Sequence, residues 1–193
     1  MMQSGDFYAM LFRMKHIMRW GLMRNTFSED LSQHSFETAV IAHALALISK
    51  KRFNDTVDPE KILTAALYHD IGELLTGDLP TPVKYHNSDI TSAYKKIEEL
   101  SFEKLYSLLD DDMKEEYTKY TRLGEKEEQL LKAADRICAL IKCKKELLSG
   151  NPEFNSAHNS IEKSIKEMNC KEADFFMEKL LPSFDKDLDQ ITL

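Results

Sequence analysis

Glycine and proline are scarce in this chain, 6 and 5 among 193 residues. An all-β fold needs many more turn residues, so the scarcity argues against sandwiches and barrels and for helices. There are 3 cysteines, at positions 138, 143 and 170, with no Cys-x-x-Cys. Buried thiols in a reducing compartment are expected from such a set, rather than a disulfide framework or a soft-metal centre. Long apolar runs are missing too. Residues 39–48 form the longest, which is too short to cross a bilayer and is interrupted by His43. Asp6, Arg13, Lys15 and Arg19 break up any secretory apolar core near the N-terminus, so a cytoplasmic protein is expected. Positive charge is also short, with 26 Lys and Arg against 33 Asp and Glu and a net charge of −7. That balance argues against a nucleic-acid polymer or an anionic membrane as partner. An anionic small substrate remains open, because a bound cation can invert the field locally.

Hydrophobic residues make up 42% and charged residues 31% of the chain, which suits one domain, residues 1–193, around one sizeable core. Helical periodicity runs through almost all of it. Phe7, Met10, Leu11, Met14, Ile17 and Met18 would line one face of a first helix ending near Arg19 and Trp20. A polar loop over residues 24–32 leads to a second helix over 34–50. Asp58-Pro59-Glu60 reads as a helix start, with a capping carboxylate and proline in the first turn, and that third helix is expected to reach residue 75. Residues 76–84 read as an ordered loop, followed by helices over 89–109, 111–119 and 125–148 and one or two more, with a break at Pro182. The expectation is an all-α fold.

Strongly polar residues stand where this pattern wants core residues. His34 opens the apolar second helix, and His69-Asp70 follows Ile62, Leu63, Ala65, Ala66 and Leu67. Asp135 stands one turn from Leu131 and from Cys138, on their inward face. Burying such groups is costly unless something compensates them, and a divalent ion would. Two imidazoles with two carboxylates suit cobalt, manganese, iron or zinc, and such an ion can acidify a water and draw charge off a phosphoryl group. Glu73 follows His69 by four residues, so on a helix it would face the same side and could serve in proton transfer. His43 reads as a satisfied core histidine, His16, His86 and His158 as surface or interface residues, and Lys84 as a solvated lysine.

His34, His69-Asp70 and Asp135, in that chain order on separate helices, resemble the pattern of the HD-domain metal-dependent phosphohydrolases. The likeness extends further. Arg19-Trp20, Leu22-Met23-Arg24-Asn25, His34-Ser35, residues 42–46 and above all Leu75-Thr76-Gly77-Asp78-Leu79-Pro80-Thr81-Pro82-Val83-Lys84-Tyr85 resemble the bacterial HD-type 5′-deoxynucleotidases, as do Asp174-Phe175-Phe176-Met177-Glu178 and Pro182-Ser183-Phe184. The resemblance implies a helical metal-dependent phosphomonoesterase acting on 2′-deoxynucleoside 5′-monophosphates, and a homodimer. It implies that His34, His69, Asp70 and Asp135 bind the metal, with His34, Asp70 and Asp135 also touching substrate. Arg19 would orient the phosphate through its planar donor fork. Trp20 would wall off the sugar 2′ position, Asp78 would accept from the 3′-hydroxyl, and Leu79, Pro80 and Thr81 would complete the pocket. Glu73 would be the catalytic carboxyl.

Gln33 departs from the family, whose members usually carry an acid before the histidine; if that acid supports the histidine, glutamine keeps a hydrogen bond and loses a charge. Two other readings compete. One is an HD phosphohydrolase acting on another nucleotide; cyclic dinucleotides are disfavoured because Glu73 stands where those enzymes carry lysine. The other is a nonhydrolytic, metal-dependent nucleotide sensor, against which Glu73 and Arg19 both count.

Overall fold

Phe7, fully buried, anchors the first helix, α1 (Gly5–Leu11). The computed structural model describes residues 5–84 and 86–191, leaving out the side chains of Thr81 and Pro82. Its α1 is shorter than the sequence pattern suggests. A single 3-10 turn, Met14–His16, follows, and then the backbone turns outward to pair across the chain. Arg19 N–H donates to the Glu29 carbonyl and Leu31 N–H to that of Ile17, both at 2.9 Å, around an isolated antiparallel bridge between Met18 and Asp30. These cross-chain bonds use the groups that a continuing helix would need for its own ladder.

Asp30 then caps the next helix. Its Oδ1 accepts the Gln33 N–H at 2.9 Å, so α2 (Leu31–Arg52) begins before His34 rather than at it. Asp58 caps α3 (Pro59–Leu67) by accepting from the N–H groups of Glu60 and Lys61 at 3.0 and 3.2 Å. This helix stops eight residues short of the expected end. Tight bonds to the residue three back replace the α-helical ones, from Ile71 N–H to Tyr68 and from Glu73 N–H to Asp70. His69 and Asp70 therefore stand in a turn, and Glu73 opens the single-turn α4 (Glu73–Thr76). Gly77, at φ +73°, ends α4 in a conformation that favours glycine. The expected loop holds another short helix, α5 (Thr81–Lys84). Then come α6 (Ser88–Tyr106), capped by Asn87, and α7 (Asp111–Thr121). α8 (Glu125–Leu148) has the bounds expected from sequence, and α9 (Asn155–Glu167) and α10 (Lys171–Lys179) follow. Among the described residues there is no strand, so the fold is all-α.

The helices gather into two compact units, each with its own core. Residues up to Phe36 belong with Leu67–Arg122, and Glu37–Ala66 with the residues from Leu123 onward. Phe7, Met14, Leu31, Ile71, Leu105 and Tyr106 are buried together in the first unit. In the second, Leu45, Ile62, Leu130, Ile137 and Phe176 pack with Cys138 and Cys170. Cys138, Cys143 and Cys170 are all buried free thiols. His43 is half-buried beside an open groove of the second unit, lined also by Leu47 and Asp58, rather than sealed in its core. No described helix is long and apolar enough to cross a membrane.

Candidate metal and phosphate site

His34 is fully buried near the start of α2, in the first unit. Its Nε2 lies 3.6 Å from Asp70 Oδ2, and the His69 Nε2 reaches the same oxygen at 3.1 Å. The two rings stand 5.4 Å apart. One potential ligand atom from each of His34, His69 and Asp70 lies within 4.8 Å of the others. Two imidazole nitrogens and a carboxylate oxygen converging so closely fit a divalent transition ion, which accepts mixed nitrogen and oxygen donors. The tight turn at 68–72 makes this possible, because it places both members of the adjacent pair at the mouth of α2 instead of on diverging faces of a helix.

Arg19 reaches the same place from the bridged segment. Its Nη1 donates to Asp70 Oδ2 at 3.4 Å, and its side chain is only 14% exposed. Burial raises the Asp70 carboxyl, but the His69, His34 and Arg19 groups outweigh it and hold the carboxyl well below the usual range. Asp70 is thus an anion at any physiological pH. Glu73, one turn further, goes the other way. It is 6% exposed, and burial followed by repulsion from Asp70 and Asp78 pushes it up to about 8. Its Oε2 is buried with no hydrogen-bond partner among the described residues, while Oε1 lies 4.0 Å from Lys84 Nζ. Two carboxyls three residues apart therefore hold opposite protonation states near neutral pH. Lys84 is not the solvated lysine expected: its Nζ donates to Glu98 Oε1 at 2.7 Å and lies 4.7 Å over the Tyr94 ring.

Trp20 and Asp78 also meet. The Trp20 backbone N–H donates to Asp78 Oδ2 at 3.3 Å, across 58 positions of sequence. Asp78, Leu79 and Pro80 are half-buried in the segment between α4 and α5. The Thr81 side chain lies outside the described residues. Asp135 sits half-buried on α8, in the second unit, in the stripe of Leu131 and Cys138.

One residue of this site escaped sequence reasoning. Glu29 is 4% exposed; its Oε1 lies 3.3 Å from His34 Nδ1 and 3.4 Å from Arg19 Nε, while Oε2 accepts from Trp20 Nε1 at 2.9 Å. Burial raises its carboxyl, and His34, Arg19 and Trp20 more than reverse this, so it stays ionised. The acid behind His34 is thus Glu29. Gln33 is exposed, and its backbone serves the Asp30 cap. In sequence Glu29 looked like part of a polar loop, and only its place before a helix cap hinted otherwise.

Comparison with known proteins gives a family model described as 5′-deoxynucleotidase YfbR-like, which matches residues 6–184. A 5′-deoxynucleotidase of Vibrio atlanticus is 44% identical over 194 residues, spanning 99% of this chain and 100% of its own. Among solved structures, an HD-domain phosphohydrolase from Listeria innocua matches with a TM-score of 0.83 at 20% identity, over 95% of this chain and 90% of its own. A cyanophage S-2L HD phosphohydrolase, bound to dA and one catalytic Zn2+ ion, matches at 0.68 and 17% identity, over 93% and 96%. At those identities the two structures show likeness of fold alone.

Proposed function

Because the chain belongs to the YfbR-like 5′-deoxynucleotidase family, we propose that it removes the 5′-phosphate of 2′-deoxynucleoside 5′-monophosphates, releasing deoxynucleoside and inorganic phosphate. The observation that carries this reading is the meeting of His34, His69 and Arg19 on one oxygen of Asp70, with the buried carboxyl of Glu73 one turn away. His34, His69 and Asp70 would hold a divalent transition ion; cobalt, manganese, iron and zinc all suit the donors, and the cyanophage structural neighbour carries zinc. Asp135 is assigned as a fourth ligand on the family resemblance, and the whole chain, 1–193, is taken as one functional domain. When bound, the ion supplies Lewis-acid charge to the phosphoryl oxygens and acidifies a water.

The residues do the rest. Arg19 turns its guanidinium from Asp70 toward the phosphate and stabilises the charge that builds on the equatorial oxygens. Water attacks phosphorus and gives up one proton to solvent, the bond to the sugar O5′ breaks as Glu73 delivers its proton to that oxygen, and the resulting Glu73 carboxylate regains a proton from solvent. Asp78, whose carboxylate already takes the Trp20 N–H, accepts from the 3′-hydroxyl. Trp20 closes off the 2′ position, and Leu79, Pro80 and Thr81 complete the pocket. A cytoplasmic location is supported by three free thiols. A homodimer is supported by Phe12, Leu22 and Phe27, which are 76%, 73% and 52% exposed.

Phosphate release from deoxy- and ribonucleoside monophosphates, with and without chelator, tests the reading. Turnover of the deoxy compounds that chelator abolishes and cobalt, manganese or zinc restores is the expected result. Saturable nucleotide binding with no release under any of those ions would replace the hydrolase by a sensor.

A further inference from the structure

Glu29 connects groups to which the proposed reaction gives three separate tasks. Its two oxygens are divided between them: Oε2 takes the Trp20 indole N–H at 2.9 Å, and Oε1 faces His34 Nδ1 and Arg19 Nε at 3.3 and 3.4 Å. It is nearly sealed from solvent, at 4% exposure. Trp20 itself needs holding. At φ +60° it stands in the left-handed region, which a bulky residue adopts only where its surroundings over-determine it. Those surroundings include Glu29 on the indole, Asp78 on the backbone N–H, and the Met23 N–H and Asn25 side-chain amide on the carbonyl. On the other side, a carboxylate at Nδ1 favours the tautomer that offers the Nε2 lone pair of His34 to an ion.

We propose that Glu29 is a positioning residue for deoxyribose selectivity, one buried carboxylate that orients the Trp20 wall and the His34–Arg19 pair together. The inference rests on the phosphomonoesterase reading above. Its consequence is that sugar choice and metal affinity are linked through a single side chain that touches neither substrate nor ion.

Glu29→Gln is the direct test. An amide has one acceptor and one donor end, so either orientation sets a donor against Trp20 or against the His34–Arg19 side. Trp20→Phe keeps an aromatic ring and removes the indole donor together with part of the wall's area. Three readouts apply to the full-length protein: the ratio of kcat/KM for 2′-deoxyadenosine and adenosine 5′-monophosphates, zinc affinity by chelator competition, and fluorescence. Trp20 is the only tryptophan in the chain, so emission reports on its surroundings alone.

Loss of about one hydrogen bond predicts that Trp20→Phe lowers the deoxy-to-ribo ratio roughly tenfold. Glu29→Gln is expected to lower that ratio comparably, to weaken zinc about 10- to 100-fold and to shift the emission maximum. The double variant should lose no more selectivity than the worse single one, as residues acting through one contact do. Selectivity losses that multiply independently, or a Glu29→Gln protein with ratio, zinc affinity and emission all unchanged, would overturn the proposal. A purely structural Glu29 would lower the melting temperature and leave the ratio alone, which also overturns it. Should Glu29→Gln fail to fold, the milder Glu29→Asp, which keeps the charge but shortens the reach, is held to the same ratio and emission criteria. If the unaltered protein turns over neither nucleotide, the hydrolase reading fails. Zinc addition to the chelated protein then still tests the link, because binding at His34 must move Trp20 emission, and Glu29→Gln must weaken that response.

Discussion

Glu73 shows how much chemistry one buried side chain can carry. Its carboxyl, pushed up to about 8 by burial and by the Asp70 and Asp78 charges, keeps its proton in the folded protein over a range where the unfolded chain, at 4.5, has released it. Because the folded state binds the extra proton, the stability associated with it is full below about 4.5 and is lost as pH rises through about 8. Glu73→Gln removes that penalty while keeping the shape. In chelator, the variant should match the parent near pH 5 and exceed it near pH 9 by a few kcal/mol at most, as read by urea denaturation. Turnover should fall by a factor on the order of 10² to 10⁴ with zinc still bound. A variant that loses stability equally at both pH values would show that Glu73 is ionised in the folded protein, and retained turnover would remove it from proton transfer.

At the scale of elements, the site depends on the break between α3 and α4. Gly72, just before Glu73, lies against α6 so closely that a Cβ there would come within 3.1 and 3.2 Å of the Phe102 ring and 3.4 Å of the Glu98 carbonyl. Gly72→Ala should therefore push α4 off α6, costing about 1–3 kcal/mol in urea denaturation. Because Glu98 also holds Lys84 beside Glu73, kcat should fall more than KM rises. An alanine variant with parental stability and kcat would show that Phe102 simply moves aside. Helix starts here were legible from local chemistry, as the caps at Asp58 and the bounds of α8 show. The end of α3 was not, since an apolar periodic pattern continues through the turn that ends it.

For the whole chain, metal binding should act as a stabiliser. An ion that binds the folded state alone contributes about 2.7 kcal/mol at a hundred times its Kd. For a protein of 193 residues that corresponds to a melting temperature higher by roughly 5–10 °C. Scanning calorimetry with zinc and with chelator would measure this, and His34→Ala should abolish the difference, since it removes a donor from a closely converged set. A zinc-induced rise that survives in His34→Ala would place the stabilising ion elsewhere. With the chain at −7 overall, positive potential for an anionic substrate has to be local, from Arg19 and from an ion when one is bound.

The sequence by itself determined the helical class, the lack of a disulfide framework and the family, because periodicity, residue counts and a run such as Thr76-Gly77-Asp78-Leu79-Pro80 are local properties. It also singled out His34, His69 and Asp70, because polar groups in apolar surroundings are conspicuous. Only the tertiary structure decided that Glu29 stands behind His34, that Glu73 is buried enough to keep its proton, and that Lys84 is paired. A carboxylate's role depends on what burial and neighbouring charge do to it, and those neighbours come from segments up to dozens of residues away, where no local pattern records them.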